Sequence, residues 1–157
     1  MRKIVRNEAE ISEIRRAILM KNWAILFNIL SDKYGYTGED LERIWHQVNL
    51  ISKAIASEEI LYSKISITLK QFHIVLDVPA KKDNTVKYYQ TLFRRLSWGI
   101  ILYAMLKFGF PKEEMPILWE RIQYLEESIN QGCCSVEDLR QAVGEDTDFV
   151  LNDNSVA

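Results

Sequence analysis

An internal repeat constrains the fold of this chain more than any other feature of its sequence. Residues 33–55 (KYGYTGEDLERIWHQVNLISKAI) align without a gap with residues 107–129 (KFGFPKEEMPILWERIQYLEESI) when Gly35 is set against Gly109. The four tryptophans form two corresponding pairs, Trp45 with Trp119 in this alignment, and Trp23 with Trp98 at an offset of one residue, because the first copy has one more residue before its glycine. A repeat of this kind indicates two copies of one supersecondary unit that bury their apolar faces together.

Each copy has the pattern of a helical hairpin. Glycine ends a helix easily because it accepts a left-handed backbone, so Gly35 and Gly109 are predicted turn positions. The next helix is predicted to begin after Thr37, with Asp40 completing a capping box, and at Pro111 in the second copy. It then carries apolar residues at helical spacing. These stripes are Leu41, Ile44, Trp45, Val48, Ile51 and Ile55, and Met115, Leu118, Trp119, Ile122, Leu125 and Ile129.

Four further segments complete the prediction. Residues 7–30 and 86–107 are expected to form long helices, and residues 135–142 a short helix with Ser135 as its N-cap and Asp138 as its capping-box partner. Residues 58–71 fit either a helix or a strand, because apolar residues alternate within this segment. The sequence therefore predicts an all-α protein of five to seven helices, a bundle made from two related hairpin units.

Length and composition indicate one globular domain over residues 1–157. The chain has 157 residues, of which 48% are hydrophobic and 27% charged, and this size allows a substantial core. The predicted subdivision is a first repeat unit, a linker, a second repeat unit and an acidic tail that is frayed or only partly docked. Their bounds are about 22–78, 79–85, about 86–143 and 144–157.

The net charge of −2 is unevenly distributed. Of the 20 lysines and arginines, only Arg121 and Arg140 follow residue 112, whereas half of the 22 acidic residues do. This asymmetry fits a partner-binding face, a self-complementary dimer, or an ordinary surface with a solvated acidic tail. The N-terminal residues lack a signal-peptide core, and no apolar run reaches the roughly 18 residues of a membrane span. We therefore expect an intracellular protein that does not enter a membrane.

The sequence offers little material for catalysis. It has two histidines, two adjacent cysteines (Cys133 and Cys134) that are expected to be free thiols, and no glycine-rich phosphate loop. Glu42 and His46 share a helix face, but Pro116 and Glu120 occupy the matching positions of the second copy. Metal sites in helical bundles take ligands from several helices. We predict a protein that is not an enzyme, with no catalytic residue, cofactor or metal.

The strongest candidate for a binding surface is the linker and the helix that follows it. Its predicted partner-binding residues are Lys81, Lys82, Lys87, Tyr88, Arg94 and Arg95. Basic groups beside aromatic rings can bind phosphates and stacked bases, and arginine and tyrosine are also common in protein interfaces. The acidic starts of the helices after both turns oppose nucleic-acid binding, so a protein partner is preferred.

The second copy also carries a family resemblance. Residues 107–139 (KFGFPKEEMPILWERIQYLEESINQGCCSVEDL) resemble small helical proteins of phages and prophages of Gram-positive bacteria. Those proteins have an apolar helix, a Gly-Phe turn, an amphipathic helix and a short acidic helix. The resemblance implies a phage accessory protein in the cytoplasm of a bacterial host.

These observations lead to one functional prediction and two alternatives. The prediction is a non-enzymatic protein–protein interaction module that occludes a surface of a host or phage protein. The resemblance to phage proteins implies that it inhibits host antiviral defence, for example as an anti-CRISPR type protein. The first alternative is a nucleic-acid-binding regulatory protein. The second is a self-associating structural protein, in which the basic and acidic halves meet in a homodimer.

Overall fold

The computed structural model describes residues 4–152, which form six α-helices. Within that range the only strand-like pairing is one bridge between Ile4 and Thr85. The predicted all-α fold is confirmed. The helices are α1 (Glu8–Tyr34), α2 (Gly38–Ala56), α3 (Tyr62–Lys70), α4 (Val86–Lys107), α5 (Met115–Asn130) and α6 (Val136–Thr147).

The predicted helix caps are present. The Asp40 amide donates to the Thr37 hydroxyl at 3.3 Å, and the Thr37 amide donates to the Asp40 carboxylate at 2.9 Å. Ser135 and Asp138 exchange the same two bonds at the start of α6. Hydrogen bonds from the Thr37 amide and hydroxyl hold the pKa of Asp40 below its ordinary value. Both capping boxes follow from short-range sequence alone.

Both turn glycines have the left-handed backbone that the sequence predicts. Gly35 has a φ of 67° and Gly109 a φ of 106°. Beyond each glycine the chain closes back on the helix: the Tyr36 amide donates to the Leu30 carbonyl, and the Phe110 amide to the Met105 carbonyl. These bonds satisfy carbonyls that the end of a helix leaves free.

The start of the second hairpin corrects the prediction that a helix begins at Pro111. A 3₁₀ turn occupies Lys112–Glu114, and α5 begins only at Met115. Pro116 explains the difference, because it has no amide to donate to the Lys112 carbonyl and its ring would collide with that carbonyl in a continuous α-helix. In the observed structure Pro116 lies in the first turn of α5, where no amide donor is needed.

The ambiguous segment 58–71 forms a helix. Within α3, Ile65 and Leu69 are buried, and Ile67 between them is exposed. Apolar residues at positions 65, 67 and 69 fit a strand, and they also fit a helix. In the helix, Ile65 and Leu69 are four residues apart, so both lie on the face that contacts the core.

Helices α1 and α4 form the centre of the structure. The main neighbours of α1 are α4, α5 and α6, and those of α4 are α1, α2 and α3. Each long helix therefore packs chiefly on the long helix and the shorter helices of the other predicted unit. One continuous hydrophobic cluster joins all six helices.

Corresponding elements of the two units have corresponding bounds. In the alignment of Gly35 with Gly109, α2 covers the positions of the 3₁₀ turn together with α5, and α3 starts at the position of α6. Trp23 lies 6.2 Å from Trp45, and Trp98 lies 6.3 Å from Trp119, measured between ring centres. The repeat itself stays a prediction of the sequence, and these contacts are consistent with it.

The acidic tail docks through at least part of its length. The ring of Phe149 lies edge-on to Phe27 at 5.2 Å. Leu151 is buried, and its carbonyl accepts hydrogen bonds from the Arg140 guanidinium at 3.1 and 2.6 Å. Residues 153–157 of the tail lie outside the described range.

We predict that Gly99 is required for the contact between α3 and α4. A Cβ at this position would collide with the Tyr62 hydroxyl, which donates to the Arg95 carbonyl. Gly99→Ala is expected to destabilise the protein by about 1 to 2 kcal/mol, because Tyr62 loses its place. Urea unfolding measures this change.

The control measures the same substitution in the Tyr62→Ala variant, where the side chain that collides with the new Cβ is absent. There, Gly99→Ala should stabilise the protein by about 1 kcal/mol through the helix propensity of alanine. The same effect of Gly99→Ala in both backgrounds would contradict this account of Gly99.

Candidate interaction surface

Four of the six predicted site residues lie around the linker. Lys81, Lys87 and Tyr88 line one crevice of about 780 Å³, and Lys82 is exposed next to Lys81. The three lysines are exposed and Tyr88 is half-buried. Their ammonium groups are therefore available to a partner.

Arg94 belongs instead to a buried network. Its Nε donates to Glu126 Oε2 at 2.9 Å and its Nη2 to Glu126 Oε1 at 2.8 Å. Trp98 Nε1 donates to the same carboxylate at 3.2 Å, and the guanidinium lies 5.4 Å from the centre of the Trp119 ring. Only 7% of Glu126 is exposed. Arg94 therefore neutralises a buried carboxylate. If Arg94 turned away to bind a partner, the negative charge of Glu126 would remain in apolar surroundings without a counter-charge.

The pKa of Arg94 reflects this environment. Burial lowers it, but the hydrogen bonds and charge of Glu126, with a contribution from Asp77, raise it by more, so the pKa lies above its ordinary value. The Arg94–Glu126 network was not predicted from the sequence. The feature that indicates it is the position of Glu126, one helical turn after Ile122 on the apolar stripe of α5, because a carboxylate buried there requires a hydrogen-bond donor.

Arg95 of α4 contacts residues of α3. Its guanidinium lies 4.2 Å from the centre of the Tyr62 ring, and its Nη2 donates to Ser66 Oγ at 3.4 Å. The Tyr62 hydroxyl donates to the Arg95 carbonyl at 2.5 Å, and burial raises the pKa of Tyr62 to about 12. The two arginines of the predicted surface therefore face different neighbours, and both take part in contacts between helices.

The aromatic residues next to the linker pack against one another. Ring centres of Tyr88 and Tyr89 are 5.0 Å apart, and those of Tyr89 and Phe93 are 6.1 Å apart. All three side chains are half-buried. Stacking of nucleic-acid bases needs an accessible ring face, which this packing restricts.

Exposed aliphatic side chains lie beside the lysines and were not predicted. Leu61, Ile67, Val75 and Val78 are between 62% and 66% exposed. Val75 and Val78 line a crevice of about 160 Å³ with Lys70, and Val78 also lines the larger crevice of Lys81 and Lys87. We name this region the α3–linker face; its residues are Leu61, Lys64, Ile67, Lys70, Val75, Val78, Lys81, Lys82 and Lys87.

The α3–linker face is basic. Its five lysines are all exposed, and the acidic residues within the same stretch of chain are Asp77 and Asp83. Asp83 accepts hydrogen bonds from the amide and hydroxyl of Thr85. Exposed aliphatic side chains interspersed with lysines give this face the composition of a surface that binds an acidic partner.

The residues considered for catalysis lie apart. His46 and Glu42 are 3.7 Å apart on the exposed surface of α2, and His73 lies in the turn after α3. Cys133 and Cys134 lie in the turn between α5 and α6. Within residues 4–152, no three His, Cys, Asp or Glu side chains are grouped to hold a metal ion. In the same range, no helix is both long enough and apolar enough to cross a membrane.

We predict that the Glu126 network supports the fold. Glu126→Gln should destabilise the protein by about 2 kcal/mol, because the partly buried Arg94 loses its charged acceptor. Glu127→Gln is the matched control, since its side chain is exposed and hydrogen-bonds only to Gln131 among the described residues. Its effect should stay within about 0.5 kcal/mol. Urea unfolding measures both changes. An equal decrease in the free energy of unfolding for Glu126→Gln and Glu127→Gln would contradict a stabilising role of the Glu126 network.

Comparison of the chain with protein-family models, with curated proteins and with solved structures finds no match in any of the three. The resemblance of residues 107–139 to phage and prophage proteins stays a prediction. Inference about function therefore depends on the geometry of the α3–linker face.

Proposed function

We propose that the protein is a non-enzymatic protein–protein interaction module whose α3–linker face binds an acidic surface of a partner protein. The observation that carries this proposal is the exposure of Ile67, Val75 and Val78 among lysines. Protein interfaces combine a fully buried apolar centre with a polar rim. In this proposal the aliphatic side chains supply the centre, and the lysines supply the rim and steer the partner.

A protein partner is favoured over a nucleic acid by the state of the remaining candidate residues. Arg94 and Arg95 are engaged by Glu126 and by Tyr62, and the aromatic rings near the linker are half-buried. Binding to nucleic acid depends on free cations and on accessible rings. The exposed aliphatic residues have no role in that alternative, whereas a protein interface uses them directly.

The sequence resemblance supplies the biological setting of the proposal. In that setting the chain is a phage accessory protein, and its partner is a host protein in the bacterial cytoplasm. Binding over the α3–linker face covers the working surface of the partner. An inhibitor of host antiviral defence, such as one of the anti-CRISPR type, would act by this kind of occlusion.

Capture from nuclease-treated bacterial lysate tests the proposal when surface variants are compared by quantitative mass spectrometry. The parent protein should retain one partner in stoichiometric amount, and Ile67→Asp and Val75→Asp should each lose most of it. A buried charge without a partner is strongly unfavourable in an interface. Leu50→Asp is the matched control, because Leu50 is also exposed but lies on α2, and it should retain the partner.

Other outcomes identify the alternatives. Capture that disappears with nuclease treatment contradicts a protein partner and supports the nucleic-acid alternative. Capture of an untagged copy of this chain alone supports self-association. Equal loss of the partner in Leu50→Asp and Ile67→Asp would contradict the assignment of the α3–linker face.

A further inference from the structure

A separate cavity of about 370 Å³ lies between α1, α2 and α4. Its walls include the rings of Trp23, Trp45 and Phe93 and the aliphatic side chains of Val48 and Ile100. This volume is within the range of about 300 to 1,000 Å³ in which small-molecule sites fall. None of the lining residues belongs to the α3–linker face, so a ligand here would be independent of the proposed interface.

The corresponding place in the second unit is a smaller crevice of about 290 Å³, lined by charged and polar side chains that include Arg94, Gln123 and Glu126. There the guanidinium of Arg94 covers Trp119 and is held by Glu126. When Trp23 is set against Trp98, Leu19 stands at the position of Arg94, and when Gly35 is set against Gly109, Ser52 stands at the position of Glu126. Both Leu19 and Ser52 line the cavity. The first unit thus has the same tryptophan pair, but a leucine and a serine replace the ion pair that lines the crevice of the second unit.

The lining residues also restrict the chemistry of a ligand. Among the lining residues within the described range 4–152, Arg15 is the only charged one and none carries a carboxylate. Asn49 and Ser52 add polar groups from α2. An arginine at the edge of an apolar cavity favours a ligand with an apolar body and an anionic end, because the guanidinium binds carboxylates by charge-assisted hydrogen bonds.

We propose that this cavity binds a small molecule with an apolar body and a single carboxylate. The body lies against Trp23 and Trp45, and the carboxylate lies at Arg15. Burial of the apolar body provides most of the binding free energy, and Arg15 selects the charged end. The site adds a small-molecule ligand to a protein whose proposed function is the binding of another protein.

Titration with decanoate, followed by the indole N–H resonances in NMR spectra, tests the proposal. Saturable shifts are expected at Trp23 and Trp45, while Trp98 and Trp119 serve as controls within the same molecule. Decanol, which has the same chain without the charge, should bind more weakly. Arg15→Gln should weaken decanoate binding about threefold, as expected for a partly exposed ion pair, and the neighbouring Arg16→Gln should leave it unchanged.

A variant that copies the second unit provides the sharpest comparison. Leu19→Arg combined with Ser52→Glu places an arginine and a glutamate at the positions of Arg94 and Glu126, so it should replace part of the apolar wall of the cavity with an ion pair and abolish the shifts. Decanoate binding unaffected by this variant, absence of saturable shifts in the parent, or equal affinity for decanol and decanoate would each overturn the proposal. If the double variant does not fold, the comparison of Arg15→Gln with Arg16→Gln decides.

Discussion

The contact between α1 and α4 is the interaction on which the other helices depend. At its centre Asn22 Nδ2 donates to Ser97 Oγ at 3.0 Å, and both side chains are buried. Burying two polar groups is unfavourable unless they bond to each other, so this pair favours one alignment of the two helices. Asn22 and Ser97 directly precede Trp23 and Trp98, and they therefore occupy corresponding positions in the predicted units. Since each long helix also carries the shorter helices of the other unit, a shift of this contact would displace the whole core.

The two predicted units have helices at corresponding positions but differ where a ligand or partner could bind. The Arg94–Glu126 pair lines a charged crevice of about 290 Å³ in the second unit, whereas Leu19 and Ser52 line a more apolar cavity of about 370 Å³ in the first. The outer face of α3 carries Lys64 and Ile67, and the matching positions of α6 are Asp138 and Gln141. The proposed binding properties therefore lie in the first unit, the linker and α4, which is the long helix of the second unit.

Short-range features of the fold could be predicted from sequence, because local residues determine them. Thr37 with Asp40, Ser135 with Asp138, and the two turn glycines each act within a few residues, and all were identified correctly. The sequence pattern predicts the start of α5 too early, at Pro111, because it does not include the effect of Pro116 on the Lys112 carbonyl. The Arg94–Glu126 pair joins two helices across a long stretch of chain, and spacing within one helix cannot reveal such a partner. The basic residues near the linker were recognised, but the exposed positions of Val75 and Val78 depend on tertiary packing.

Separate production of the two halves tests the central claim that each unit depends on the other. Residues 1–78 and 86–157 would be prepared individually, and their helix content measured by far-ultraviolet circular dichroism alone and after equimolar mixing. Because α1 packs on α5 and α6 while α4 packs on α2 and α3, each half alone should have much less helix than its share of the intact protein. Mixing should restore the spectrum of the intact chain. Full helix content in either half alone, with no change on mixing, would contradict the account.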